Sequence, residues 1–277
     1  MGFEDLPKRI QYEILNKDGE GNNKNDKDAY YDRKDNELHI TELLYCLTKS
    51  FYSRKEPVEL SLKQAFPLYR GNLLDNQFTS LFRLNQIRCT HRVPDIPCTI
   101  VGKCDFIDDD GTLCDLKTAT NLFYTKKDGG AKDEHCKQVQ FYCYCNAIDK
   151  AKVIYFDFGD TVTYPVEIGD ATLLILELEE KARILYKALI TNKPPERDIK
   201  GKEWMCASTD WRTGKIKKKE DGSDAINCPY FFKCYSTVED FYSSMNMKVA
   251  PVEEKTAKFS PEPNAPVITV ATKNKGK

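Results

Sequence analysis

Two short stretches, Gly102-Lys103-Cys104-Asp105 and Asp115-Leu116-Lys117, bring two carboxylates and a lysine close together in the chain. The surrounding pattern has a period of two, so Asp115 and Lys117, at i and i+2, point to the same face of a strand. Between the stretches, Asp108-Asp109-Asp110-Gly111 reads as a turn. With the loop centred between Asp109 and Asp110, residues whose numbers sum to about 219 or 220 lie opposite one another. Asp105 and Asp115 then face each other, and two facing carboxylates repel. A divalent cation between them turns that repulsion into a set of hard oxygen ligands suited to Mg²⁺ or Mn²⁺. Such a metal activates water and stabilises charge on a scissile phosphate. Lys117 can orient that water or neutralise the developing charge. On the next helical stretch, Gln138 and Tyr142 are spaced i, i+4 and can face the same site, offering donors without added negative charge. Read blandly, the same residues make a solvated acidic hairpin, a surface lysine and a buried polar pair.

Cysteine is the second chemical resource. The chain has eleven, an odd number, and in a reducing compartment they serve as core fillers, ligands or redox groups rather than disulfides. Cys89, Cys98, Cys104, Cys114, Cys143 and Cys145 lie in apolar strand or helix patterns and read as small buried hydrophobes. Cys136 stays open. Cys46, Cys206, Cys228 and Cys234 stand apart, at the two ends of the patterned region. Their spacing matches no ferredoxin run.

The elements that must carry these residues follow from periodicity. A short amphipathic stretch at residues 3–15 precedes a polar run up to Asn36, read as a linker within an N-terminal segment spanning 1–37. Thr41 is a candidate cap for a helix over Glu42–Lys55, and a second helix is expected over Leu62–Phe82, with breaks at Pro67 and Gly71. Leu84–Val93, Thr99–Ile107 and Thr112–Lys117 read as strands, then Glu134–Ile148 as a helix, Lys152–Phe158 and Val162–Ile168 as a strand pair, and Ala171–Thr191 as a long helix. Asn192-Lys193-Pro194-Pro195 stops it. The core is expected over 38–199, a cysteine segment over 200–240 and a disordered Pro- and Lys-rich tail over 241–277. The order of elements points to one α/β domain with a terminal metal-bound subdomain.

Together, Gly102–Asp105, Asp115–Lys117 and Gln138–Tyr142 resemble the RecB-like branch of the PD-(D/E)xK nucleases, whose motifs run G-x-x-D, (D/E)-x-K and Q-x-x-x-Y in that order. The resemblance implies an α/β fold with a mixed central sheet flanked by helices, and DNA cleavage dependent on Mn²⁺ or Mg²⁺. It implies Asp105, Asp115 and the peptide carbonyl of Leu116 as metal ligands. The family places a metal-binding His four residues after a Gly. Here Gly71-Asn72-Leu73-Leu74-Asp75 puts Asp75 there, a departure that still offers an oxygen ligand; His91, in a strand, is a weak substitute.

Ile40-Thr41-Glu42-Leu43-Leu44-Tyr45-Cys46 and the Lys193-Pro194-Pro195 stop also look like the CRISPR-associated nucleases of the fourth Cas family. That resemblance implies a [4Fe–4S] cluster on Cys46, Cys206, Cys228 and Cys234, in an iron–sulfur subdomain joining the N- and C-terminal segments. Four thiolates can equally hold Zn²⁺. The long gap between Cys206 and Cys228 departs from the family. It contains Arg212, Lys215, Lys217, Lys218 and Lys219, which read either as a solvated loop or as DNA contacts through Lys215, Lys217 and Lys218. The implied activity is exonuclease, with endonuclease action left open, on single-stranded DNA or DNA ends. The implied partner is the CRISPR integrase complex, and a homo-oligomer is left open. A viral or mobile-element recombination or repair nuclease shares the chemistry, while a non-catalytic DNA-end-binding iron–sulfur module would not need it.

Bulk properties agree with these expectations. The chain of 277 residues has a net charge of −1, so DNA contact must come from a local basic groove. No apolar run approaches the ~20 residues of a membrane helix, and the start lacks a signal-peptide pattern. The sequence reads as cytoplasmic.

Overall fold

The computed structural model describes residues 36–58, 61–119, 121–157, 159–197, 205–210, 212–213 and 215–245, with a few isolated positions before residue 35. Most of the expected N-terminal linker, and the expected tail beyond residue 245, lie outside the described residues.

Three strands precede the first carboxylate or carry it: β1 (Glu37–His39), β2 (Leu84–Arg92) and β3 (Thr99–Ile107). They are followed by β4 (Leu113–Thr118), β5 (Ala151–Phe156) and β6 (Thr161–Val166), and the six form one mixed sheet. β2 pairs antiparallel along nearly the whole of β3, from Leu84↔Ile107 to Arg92↔Thr99. Elsewhere β3 pairs in parallel with β1 at residues 99–101 and antiparallel with β4 at Phe106 and Ile107 only. Among the described residues, positions 102–104 of β3 are therefore paired with β2 alone, and Asp105 is paired with neither β2 nor β4. This opening in the sheet is where the carboxylates sit.

β4 and β5 run parallel, with Asp115↔Val153 and Lys117↔Tyr155 in register. A parallel pair needs a crossover, made here by α4 (Phe123–Asp128) and α5 (Asp133–Asn146). The other helices are α1 (Ile40–Leu44), α2 (Leu47–Lys55), α3 (Leu62–Thr79) and α6 (Thr172–Thr191), then α7 (Phe231–Cys234) and α8 (Val238–Ser244). The architecture is an α/β fold with a mixed central sheet flanked by helices. In α6, Leu174, Leu178, Ala182, Leu185 and Leu189 repeat at helical spacing and are buried. They join the main core with Phe141 and Val139 of α5 and Leu38, Ile40 and Leu43 near the start. A smaller second core gathers Cys46, Cys206, Ile216, Phe231, Tyr235 and Phe241.

Three local expectations need correction. The helix expected over Glu42–Lys55 is two helices with a joint at Tyr45 and Cys46. Its cap is His39 rather than Thr41, because the Glu42 carboxylate reaches back to accept the His39 N–H at 2.7 Å. Cys46 caps the second helix, its thiol accepting the Lys49 N–H at 3.5 Å. α3 passes through Pro67 and Gly71 without a break, although a proline at its sixth position forgoes one ladder bond. Where the sequence suggested only a loop, the described parts of this segment fold back through the bridges Ala207↔Ile226, Thr209↔Ile216 and Lys218↔Asp224. Among the described residues, no helix is long and apolar enough to cross a membrane.

Candidate active site and cysteine cavity

The β3–β4 register pairs Phe106 with Cys114, which sets Asp105 opposite Asp115 one step further on. The ladder ends there, and the Asp105 carboxylate takes over, accepting the Leu116 N–H at 2.6 Å. Asp115 is 1% exposed, and its Oδ2 lies 2.7 Å from Lys117 Nζ. Burial pushes Asp115 above the usual carboxylate range, against the attraction of Lys117. Burial and the neighbouring Asp115 charge push Asp105 up to about 8. Burial opposes the charge on Lys117, but Asp115 and Asp105 outweigh it and hold the ammonium above its ordinary value.

Asp75 reaches this centre from α3. A Cβ added at Gly71 would stand 2.9 Å from Thr118 Oγ1, so Gly71 lets the helix lie against the end of β4. Asp75 is raised by burial, and Lys117 and Asp115 both act on it. Its Oδ2 accepts from Gln86 at a long 3.4 Å, while its buried Oδ1 has no hydrogen-bond partner among the described residues.

Gln138 and Tyr142 face the same centre from α5. Gln138 Nε2 donates to the Tyr142 hydroxyl at 2.7 Å. Burial, then the Asp115 charge, raises the Tyr142 phenol well above its ordinary value, so it stays protonated. A Cβ at Gly102 would stand 2.6 Å from Tyr142 Cε1 and 3.0 Å from Ile40 Cγ2. The glycine is what lets the tyrosine ring lie on the strand.

The structure thus brings Asp75, Asp105, Asp115, Lys117, Gln138 and Tyr142 together. His91 is not part of the group: its Nε2 lies 2.9 Å from Glu179 Oε1, and its ring packs on Tyr144. Sequence reasoning missed two neighbours. Burial and then Lys117 depress His135 to about 3, and its Nδ1 lies 2.7 Å from the Tyr155 hydroxyl. Tyr45 is raised by burial and feels Lys117, Glu134 and Asp115. The signal for His135 was its place three residues before Gln138, on one helix face.

A cavity between the ends of the described chain is lined by Cys46, Cys206, Cys228 and Cys234, with Lys49 and Arg197 at its wall. Burial, then Cys228, Cys46 and Cys234, pushes Cys206 up to about 12. Burial, then Cys46 and Cys228, pushes Cys234 up to about 11. Among the described residues, no three His, Cys, Asp or Glu side chains form a ready coordination sphere, either here or at the carboxylates. Lys215, Lys217 and Lys218 are exposed on the folded-back segment, and Lys218 pairs with Asp224 at 2.8 Å. Among the described residues, no ion pair or hydrogen bond joins these lysines to the carboxylates.

No protein-family model matches the chain. No curated protein matches it either. It is distantly similar in structure to the protein SSO0001, with a TM-score of 0.49 and 16% identity over 70% of this chain and 90% of that one. LHK-Exo, solved in complex with dAMP, gives 0.43 and 16% over 60% and 93%. A phage-related exonuclease from Haemophilus somnus 129PT gives 0.33 and 18% over 44% and 71%.

Proposed function

We propose that the chain is a metal-dependent DNA nuclease of the RecB-like type, acting on single-stranded DNA ends as an exonuclease with some endonuclease action. The supporting observation is the opening in the sheet at residues 102–105, where Asp105 faces Asp115, Lys117 pairs with Asp115, and the charge of Asp75 is felt. Their mutual repulsion and the partnerless Asp75 Oδ1 fit a divalent cation held by Asp75, Asp105, Asp115 and the Leu116 carbonyl. Mn²⁺ or Mg²⁺ bound there supplies a Lewis acid and a water of lowered pKa. The chain's own residues do the rest. Lys117 places a fixed positive charge where phosphate charge develops. The Tyr142 hydroxyl and the Gln138 amide offer donors that carry no negative charge toward the phosphate. Burial of Asp115 and Tyr142 keeps bulk water from screening these charges.

We read the four-cysteine cavity as the site of a [4Fe–4S] cluster, by resemblance to the motif order of the iron–sulfur nucleases. Burial, and then the neighbouring cysteines, raise Cys206, Cys228 and Cys234, a cost that a bound cationic centre relieves. We read the cluster as a clip between distant parts of the chain. The loop lysines Lys215, Lys217 and Lys218 are read as DNA contacts. A role in CRISPR spacer acquisition beside the integrase complex is supported by the motif over Ile40–Cys46. A viral or mobile-element repair nuclease would use the same site, and the neighbouring genes separate the two.

Cleavage of 5′- and 3′-labelled single-stranded DNA with Mn²⁺ tests the proposal, comparing wild type with Lys117→Ala, with folding checked by circular dichroism. Wild type should cut and the folded variant should not; equal cleavage by both sinks the site. Anaerobically purified protein should be brown, with about four iron and four sulfide per chain. Cys46→Ala should lose the iron and Cys143→Ala should keep it. A colourless protein holding one zinc would overturn the cluster.

A further inference from the structure

Beyond Lys117, β4 ends at Thr118 and the chain turns into the short helix α4. The turn is tied down from several sides. The Ala119 N–H donates to the Phe156 carbonyl at 2.9 Å, and the Leu122 N–H to the Asp157 carboxylate at 3.3 Å. The Asn121 side chain accepts the Phe123 N–H at 2.6 Å, and the Tyr164 hydroxyl donates to the Thr125 carbonyl at 2.8 Å. Leu122 and Thr125 are buried, and the two residues between them face outward. Phe123 is 61% exposed and Tyr124 69%, with their rings edge to face at 5.3 Å between centroids. Two adjacent rings held in water on an anchored helix forgo the burial that ordinarily stabilises an aromatic side chain.

These rings stand at the same end of the sheet as the carboxylate centre. β4 and β5 run parallel and end together at Thr118 and Phe156. From the other side, α3 reaches the same end. Gly71 lies against Thr118, and the exposed Phe78, three residues after Asp75, packs edge-on against Phe156 at 5.4 Å. Aromatic rings from α3 and α4 thus flank the strand end that follows Lys117.

We propose that Phe123 and Tyr124 are a base-stacking platform for unpaired DNA, an inference that rests on the nuclease reading above for where the strand leads. A stack needs an open base face. In a duplex both faces of an interior base are covered, so the platform selects a single strand or a frayed end. The surrounding charge suits a polyanion: from Thr118 to Lys132 the chain carries three lysines and one aspartate. Lys126 pairs with Asp160, whereas Lys127 and Lys132 are exposed and, among the described residues, in no ion pair. Lys127 follows Phe123 by one helical turn and shares its face, so a phosphate beside a base stacked on Phe123 meets a cation. A protein partner fits less well. Two rings offer far less than the roughly 800 Å² per partner of a stable interface, and charged residues follow them at once.

Binding is measured on the full chain in a chelator, so that nothing is cut, by the fluorescence anisotropy of a labelled single strand. Phe123→Ala and Tyr124→Ala should each weaken binding about 5- to 100-fold, the range of one lost base stack. Tyr124→Phe should bind as wild type, since the ring and not the hydroxyl makes the contact. A strand of equal length made of abasic sites should bind weakly, and equally to wild type and variants. 2-Aminopurine in the strand should lose fluorescence on binding wild type, and keep it with the doubly substituted Phe123→Ala, Tyr124→Ala chain. Unchanged affinity in both single variants overturns the platform. So does an equal loss on the abasic strand or on duplex, or a wild type that leaves 2-aminopurine unchanged or does not bind the single strand. Cleavage is not read, so the two proposals fail separately. A chain that stacks DNA without cutting it keeps the platform and loses the catalytic reading, and one that cuts with binding unchanged by the variants loses the platform alone.

Discussion

Replacing Asp105 with Asn should stabilise the protein in the absence of metal, and by an amount that depends on pH. The substitution removes one of two facing carboxylates but keeps an oxygen for the Leu116 N–H. In the fold, Asp105 titrates at about 8, against an ordinary value of 3.8. Between these values the folded chain holds a proton that the unfolded chain has lost, so stability falls as pH rises. Each pH unit in that window is worth about 1.4 kcal/mol, which sets an upper limit of about 6 kcal/mol. Relaxation around a buried charge reduces this, and about 2–4 kcal/mol is expected at pH 8. Urea unfolding in a chelator should therefore find wild type and Asp105→Asn nearly equal at pH 4. At pH 8 the variant should be the more stable by about 2–4 kcal/mol. Adding Mn²⁺ should then raise the wild-type midpoint and leave the variant unchanged, because ligand binding to the folded state is what stabilises it. A difference that does not change with pH, or a wild type more stable than the variant at pH 8, would refute the facing-carboxylate reasoning.

Two further substitutions probe the parts around that centre. Gly102→Ala places a methyl 2.6 Å from the Tyr142 ring, so thermal unfolding should show a loss of about 1–3 kcal/mol. Cleavage should fall with it, because the ring and the Gln138 amide move together. Asp75→Ala should abolish Mn²⁺-dependent cleavage while Asp75→His keeps a measurable rate, since both original and replacement can ligate Mn²⁺; an Ala variant as active as wild type would remove Asp75 from the site.

Much of this was legible in the residues. The strand pair around Asp108–Gly111 follows from alternation and a turn, and a register that sets Asp105 against Asp115 follows from the turn's centre. The four separated cysteines also meet in one cavity. What periodicity could not show were features made by long-range contact. β1 is three residues long and exists because it pairs with β3, far along the chain. The joint at Tyr45 and Cys46 is hidden within an unbroken helical pattern. A thiol caps the second helix there, a choice that propensity does not encode. His91 shows the converse: a residue type suited to metal, committed instead to Glu179.

The Tyr45–Cys46 joint also sets an order of events during synthesis. One residue feels the charges of Lys117 and Asp115, and the next lines the cysteine cavity. The other walls of that cavity, Cys206, Cys228 and Cys234, leave the ribosome after α6. They are held to the early chain by Tyr230 bonding to the Glu56 carbonyl and Lys233 to the Glu56 carboxylate. A nascent chain that has emerged only as far as α6 already carries every carboxylate, the lysine, Gln138 and Tyr142. Its helix joint beside them still lacks its far wall. A segment made after α6 therefore completes the surroundings of a joint made well before it, so a product truncated after α6 would display all the motifs without a finished site.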